Sequence, residues 1–363
     1  MPGENATTME DTGQRTKQEH PLSKRLTLSW NSRRGRFLRF FLRKFRDVAA
    51  TLLLMSLLVF LVFYIIPGDP ITMMLGTDAR PEKRAALEEE LQLHQPPLLR
   101  YWHSVEGLWN HRHPSLSLRF QKPVAELIAS RIGVTMTLAI LAFLIVLILC
   151  FPLAILASRR AGGRLDRILS MGTHFFMAIP GFFLGILLIL LFAFLLKLVR
   201  PGYFVPLRQG FWPYLGSLFL PALAVALPKL SQAVQFLRSS LIESKNEDYV
   251  RTARSKGASE ARVLFHHRLR NSLLPLVTTL GLILAELMTG SLVVEQVFVL
   301  PGIGRLLFTA IEARDLPLAQ GIILTIAFIV VMINLLCDLI SRLIDPRLDS
   351  AAATGGREEA GDV

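Results

Sequence analysis

Cysteine is almost missing from this chain of 363 residues: the two present, Cys150 and Cys337, each lie inside an apolar run with no partner at ligand spacing. That leaves neither a disulfide framework nor a thiolate metal site to read. Also absent are any Cys-x-x-Cys, His-Glu-x-x-His, Gly-x-Ser-x-Gly or Gly-Lys-Ser/Thr step. The chain therefore supplies no zinc set, no serine hydrolase elbow and no loop to cradle nucleotide phosphates. No catalytic residue, cofactor or metal is expected, and any ATP used must be bound by another polypeptide. Acidic residues are the minority, 28 against 40 basic, for a formal charge of +12. In a soluble protein that excess would suggest nucleic acid. Here the bases fall between apolar runs, so membrane topology accounts for them and no nucleic-acid partner is expected.

What the chain has in abundance is apolar length. Hydrophobic residues make up 52%, with a mean hydropathy of +0.45, the composition of a polytopic membrane protein. A helix needs about 20 apolar residues to cross roughly 30 Å of hydrocarbon. Six segments meet that test: 48–66, 134–157, 168–196, 217–237, 273–296 and 320–341. The first follows a long polar leader and lacks a small-x-small cleavage site, so it reads as a retained anchor. The third contains Ile179-Pro180-Gly181 and is expected to be kinked or broken there. The fold class is all-α, a polytopic membrane protein of about six transmembrane helices.

Around the spans the organisation is as follows. Residues 1–35 form a polar leader expected to be disordered in the cytoplasm. Residues 36–66 hold an amphipathic stretch and the first span; Phe37, Phe41 and Phe45 share one helical face and Arg36, Arg39, Arg43 and Arg46 another. That stretch suits a helix lying on anionic lipid, or simply a positive lead into the first span. Residues 67–130 form an external loop with a small helical cap at Glu82 to Leu93, residues 131–348 the membrane domain with a cytoplasmic hairpin at 238–272, and residues 349–363 a disordered cytoplasmic tail. The leader, the turn Arg159-Arg160 to Arg164 and the hairpin carry excess positive charge and alternate correctly if all are cytoplasmic, which puts both termini inside. Lys197, Arg200 and Arg208 go against this pattern and are outvoted by it.

The hairpin carries the sharpest signal. Tyr249 to Lys256 reads as a short helix, Gly257 as its stop, and Ser259 as the cap of a second helix from Glu260. In that second helix Ala261, Leu264, Phe265 and Leu269 make an apolar stripe, and Arg262, His266 and Arg270 a basic face. Spacing alone allows a basic loop resting on headgroups as readily as one gripped by a partner.

Order along the chain favours the partner. Arg251-Thr252-Ala253, then Gly257, then His267-Arg268-Leu269 occupy the places of a cytoplasmic signature, followed by Leu269-Arg270-Asn271-Ser272-Leu273-Leu274-Pro275. Pro67-Gly68-Asp69-Pro70, Leu91-Gln92-Leu93-His94-Gln95-Pro96, Lys122-Pro123-Val124, Glu295-Gln296-Val297-Phe298, Pro301-Gly302-Ile303-Gly304-Arg305-Leu306-Leu307 and Ile344-Asp345-Pro346-Arg347 follow in order. With these motifs the chain, from about Leu42 to Leu348, resembles the inner-membrane permeases of binding-protein-dependent ABC transporters, in the dipeptide, oligopeptide and nickel branch. Arg251 and Thr252 depart from the Glu-Ala opening of the general ABC permease signature, a replacement typical of that branch. The resemblance implies the type I importer permease fold in a bacterial inner membrane. It also implies a second homologous permease, two ABC ATPase subunits and an external solute-binding protein. Arg251, Thr252, Ala253, Gly257, Ala258, Leu264, Phe265 and Leu269 would dock the ATPase; di- or oligopeptides are the commonest cargo of the branch, with nickel, glycosides and other small solutes sharing its permease fold.

Candidate path residues come with plainer readings beside them. Pro301, Gly302, Gly304 and Arg305 open an amphipathic segment at the outer mouth, either a gate or a helix packed on the rim. Glu286 is an ionisable group inside a span, so it faces the path or pairs with another helix, Lys229 being the candidate partner. Glu295, Asn334 and Asp338 read as helix–helix hydrogen bonding. Two rival classes fare worse. A stand-alone secondary carrier or channel would want matched broken helices in an internal repeat, and only the span at Pro180 is interrupted. An intramembrane hydrolase would need a nucleophile and base together, and His174 has no such set.

Overall fold

The structure is a computed structural model that describes residues 33–65, positions 96, 99, 101, 102 and 106, and residues 115–344. The leader before Arg33, the expected cap at Glu82 to Leu93, the motifs at Pro67 and Leu91, and the tail lie outside the described residues. Helix α1 (Arg33–Ile65) is continuous through the expected lipid-surface stretch into the first span. Next come α2 (Val124–Arg159), α3 (Arg164–Ala178) and α4 (Gly181–Ile189), the last extended by a π-helical turn at Leu190–Leu195. Helix α5 (Phe211–Glu243) leads to α6 (Asp248–Ser255) and α7 (Glu260–Arg262). A π-helical turn (Val263–Arg268) joins α7 to α8 (Leu269–Val297), which α9 (Ile303–Glu312) and α10 (Leu316–Ile344) follow. Among the described residues the sole β pairing is an isolated bridge between Leu116 and Pro123.

The chain divides into two compact units at Ala50/Thr51. In the first, the described part is the N-terminal half of α1, whose Arg46 Nη2 meets Asp47 Oδ1 at 3.1 Å. The second holds the other spans and their core. Helix α5 packs along α2, α3, α4 and α8. Ala142, Val146, Cys150 and Ala154 recur every fourth residue along α2 with no exposure, in one cluster with Leu218, Ala222, Ala226, Ala233 and Leu237 of α5. In a membrane, apolar side chains gain nothing by leaving lipid; small residues at helical spacing stabilise association by letting the backbones close up. The same logic applies to Gly281 of α8, where any Cβ would overlap the Cys337 side chain on α10. A second cluster joins the start of α2 (Val124, Leu127, Ile128) to Ile303, Leu306 and Ala310 of α9 and to Leu318, Ala319 and Ile322 of α10.

Among the described residues five helices are long and apolar enough to cross a membrane: Lys44–Ile65, Val124–Arg159, Phe211–Asn246, Pro275–Val297 and Leu316–Ser341. The expected third span is the broken one, with α3 and α4 meeting at 102° across Ile179-Pro180. Proline removes the donor that would continue the helix, and Gly181 packs so close to Ala224 of α5 that a Cβ would lie 3.3 Å from its carbonyl oxygen. Helix α2 begins at Val124, ten residues before the span expected from hydropathy and inside the stretch assigned to the external loop. The reason is tertiary: its first turn is buried on α9 and α10, contacts that no local pattern encodes.

Candidate functional site

Three groups of residues carry chemistry: the hairpin at one end of the bundle, a carboxylate clasp at the opposite end, and an ion pair between them.

The hairpin forms as its local chemistry dictates. Asp248 opens α6; Gly257 ends it at φ +79°, a left-handed turn that costs glycine little and leaves its Cβ position in open space. The Ala258 N–H bonds back to the Ala253 carbonyl at 3.1 Å, and the Ser259 hydroxyl accepts the Arg262 N–H at 3.4 Å as an N-cap. Arg254 Nε donates to Glu260 Oε1 at 2.8 Å, tying the two arms together. That hydrogen bond holds the exposed Glu260 carboxyl below its usual range.

Val250, Ala253 and Val263 form the hairpin's own small core, with Tyr249 and Ala258 partly buried against it. Leu264 is buried, Leu269 half-buried, and Arg251 and Thr252 are exposed at the tip. Arg251 Nη1 lies 3.5 Å from Asp248 Oδ1, and the Thr252 hydroxyl donates to the Asp248 carbonyl. The apolar stripe expected on the second helix is corrected here. Its ideal α periodicity is interrupted by the π-helical turn, in which the Leu269 N–H bonds the Leu264 carbonyl five residues back. The turn rotates Val263 and Arg268 inward and leaves Ala261 and Phe265 out, Phe265 at 51% exposure. Phe265 thus joins Arg251 and Thr252 among the exposed positions of the hairpin. Buried Arg268 donates to Ser244 Oγ at 3.3 Å and to the Leu241 carbonyl, fixing the hairpin to the end of α5. Burial lowers the pKa of its guanidinium.

Near the same end, Asp166 of α3 takes a bidentate contact from Arg238 of α5, Nε to Oδ1 at 2.6 Å and Nη2 to Oδ2 at 2.8 Å. It also accepts the Gly162 N–H at 2.7 Å, so the basic turn before α3 is pinned to the helix that feeds the hairpin.

At the opposite end the Pro301-Gly302 turn folds onto Glu295. This carboxylate is fully buried and accepts from Thr135 Oγ1 of α2 at 2.5 Å and from the backbone N–H groups of Gly304 at 2.8 Å and Arg305 at 3.4 Å. The Ile303 N–H completes the ring by donating to Thr135 Oγ1 at 3.0 Å. Any Cβ on Gly302 would fall on the Glu295 carboxylate, and one on Gly304 on the Leu292 backbone. Of the four candidate gate residues, Gly302 and Gly304 are therefore close-packing positions. Pro301 and Arg305 are half-buried, and Arg305 Nη1 bonds the Val299 carbonyl. Ala310 of α9 is core, and Phe308 and Ile311 are its exposed apolar residues.

Between the two ends, Glu286 Oε2 of α8 receives Lys229 Nζ of α5. The Lys229 side chain is 29% exposed and that of Glu286 46%. Exposure to lipid would cost about 2.5–3.5 kcal/mol for each charge. Such a face belongs against water or protein. Lys229, Gln232, Gln235 and Ser239 recur at helical spacing along α5 as partly or fully exposed polar residues. Gln235 Nε2 bonds Thr173 Oγ1 at 2.7 Å and lies 3.1 Å from His174 Nδ1 on α3. Thr289 and Gly290 are exposed on α8 next to Glu286. The sequence flagged Glu286 and its partner but missed this polar face, because residues of α3, α5 and α8 share it only in three dimensions.

Residues 150–350 match the family model described as binding-protein-dependent transport system inner membrane component, and residues 37–139 match the N-terminal model of the same membrane component. The chain belongs to this family of transport permeases. A putative peptide transport system permease protein of Brucella suis is 37% identical over 313 residues, covering 85% of this chain and 98% of that one. The dipeptide transport system permease protein DppB of Escherichia coli is 31% identical over 335 residues, 86% and 98% of the two chains. The oligopeptide transport system permease protein AppB of Bacillus subtilis is 31% identical over 300 residues, 82% and 95%. A crystal structure of an amino acid ABC transporter with histidines aligns over 60% of this chain and 94% of its own at a TM-score of 0.47 and 16% identity. The permease is thus an all-helical, multi-pass inner-membrane component of a binding-protein-dependent transport system. Among its described residues no three His, Cys, Asp or Glu side chains gather as a metal site.

Proposed function

We propose that this permease moves di- or oligopeptides into the cell as one half of an ATP-driven importer. Its partners are a second, homologous permease, two ABC ATPase subunits and an external solute-binding protein. ATP hydrolysis takes place in the partner subunits. The hairpin end faces the cytoplasm, as do both termini: Arg159, Arg160 and Arg164 of one turn and the arginines of the hairpin all sit at that end.

The observation that carries the reading is near full-length similarity to peptide and dipeptide permeases, joined to a hairpin whose tip leaves Arg251, Thr252 and Phe265 uncovered. Closure of the ATPase pair pulls this hairpin as a lever. Arg268, Ser244 and the Asp166–Arg238 contact pass the displacement to α5 and α3, and the bundle switches between inward- and outward-facing states. Glu286 lines the path. The Glu295 clasp holds Pro301, Gly302, Gly304 and Arg305 as one rigid turn at the outer gate.

The experiment is uptake of a labelled dipeptide by cells depleted of ATP, compared with cells whose proton gradient is collapsed. Loss on ATP depletion alone is expected. Loss on collapse of the gradient at normal ATP would instead indicate a secondary carrier.

A further inference from the structure

Two ion pairs join α5 to its neighbours, and they are built for different work. Asp166–Arg238 uses both carboxylate oxygens, adds the Gly162 N–H, and leaves only 5% of the Asp166 side chain exposed. That is a bidentate structural contact with a nearly buried carboxylate. Lys229–Glu286 is the opposite. One ammonium meets one oxygen, Oε2; the other carboxylate oxygen, Oε1, accepts nothing, and the ammonium has two further protons without an acceptor among the described residues. Lysine supplies a compact charge on a flexible four-carbon stem, whereas arginine would lock a bidentate geometry. Around the pair stand Thr289 and Gly290, a hydroxyl and a residue without a side chain, on the face that continues through Gln232 and Gln235.

We propose that Lys229 and Glu286 form a partner-exchange site for a short zwitterionic peptide, Lys229 taking its carboxylate and Glu286 its ammonium. The proposal rests on the path reading above and adds the chemistry of what passes. An extended dipeptide spans at most about 7 Å between its termini, a gap the lysine stem can open by rotating away from α8. Each fixed charge then trades one ionic partner for another, so neither is left bare at any stage, and bare charges inside a membrane are the costly state. When the peptide leaves, the pair closes on itself and the site is again neutral. A solute of one sign would strand one of the two charges and is disfavoured.

The test uses the whole transporter in proteoliposomes with its binding protein, ATP inside, and radiolabelled alanyl-alanine as cargo. The informative variant is the neutral pair Lys229→Met/Glu286→Gln, which removes both charges and leaves no orphan. If the ion pair only joins helices, this double variant transports as the parent does, and the proposal is overturned. If it exchanges partners with the peptide, uptake falls by about ten- to a hundredfold, the range expected for losing a hydrogen bond to a charged group, while assembly and loading of the binding protein are unchanged. A double variant that fails to assemble would place the pair in the contact between the two permeases and would also overturn the proposal. The path reading is checked separately with Thr289→Cys in a Cys150→Ala/Cys337→Ala background treated with a membrane-impermeant charged thiol reagent. Labelling that blocks uptake upholds the path, so normal transport by the neutral pair would then sink the exchange alone. An inaccessible Thr289→Cys removes the path and the exchange together.

Discussion

Replacing Glu295 by alanine tests how the outer turn is held. The carboxylate has no exposure and gathers three donors: the Thr135 hydroxyl at 2.5 Å, the Gly304 N–H at 2.8 Å and the Arg305 N–H at 3.4 Å. Glu295→Ala leaves them facing a dry void. An unsatisfied buried donor costs about 1–3 kcal/mol. The Arg305 bond is long and Arg305 is only half-buried, so it counts for little; the other two place the loss at about 2–6 kcal/mol. At about 2–4 °C per kcal/mol for a cooperative unit of this size, even the middle of that range lowers the apparent melting temperature by roughly 8–16 °C. Glu295→Gln keeps the shape and one acceptor, and Thr135 Oγ1 has a lone pair free to take the new amide, so its effect is much smaller. The assay is thermal unfolding of the detergent-solubilised transporter, with tryptic cleavage at Arg305 and Arg314 as a local probe. An alanine variant that melts with the parent and resists trypsin equally would refute the clasp.

Two further outcomes follow from the other end of the bundle. Asp166→Ala leaves the partly buried Arg238 guanidinium, 22% exposed, without its partner and is expected to destabilise by about 1–3 kcal/mol; Asp166→Ala/Arg238→Met recovers most of that loss, read by trypsin sensitivity of the Arg159 to Arg167 turn. Gly257→Val places a β-branched residue at φ +79°, costing about 1–2 kcal/mol from backbone strain alone, since its Cβ meets nothing. Membrane insertion should persist while co-purification of the ATPase falls, and Gly257→Asn should be much milder.

Much of this fold could be read one segment at a time, since span lengths, the break at Pro180 and the hairpin's caps are local properties. Gly257 and Ser259 stand where their side-chain chemistry puts them. The misses are all tertiary. The early start of α2 depends on Ile303, Leu306 and Ala310 of α9 and on α10, both far away in sequence. The rotated stripe on the second hairpin arm depends on a π-helical turn that buries Arg268 against Ser244 and Leu241, and a pattern with a 3.6-residue period has no way to register that extra residue. Glu286 stood out in the sequence because an acid inside an apolar run is rare. Gln235, Thr173 and His174 did not, because each is unremarkable until three helices bring them to one face.

The central claim is that the hairpin tip is a handle for a separate ATPase, and cysteine cross-linking reaches it most directly. Thr252→Cys and Phe265→Cys, in the Cys150→Ala/Cys337→Ala background, put thiols on two of the three uncovered positions of the hairpin. Both should cross-link to the ATPase subunit in membranes, with yields that change between nucleotide-free and ATP-bound states. Transport that continues at the parental rate while neither thiol ever captures an ATPase would contradict the account.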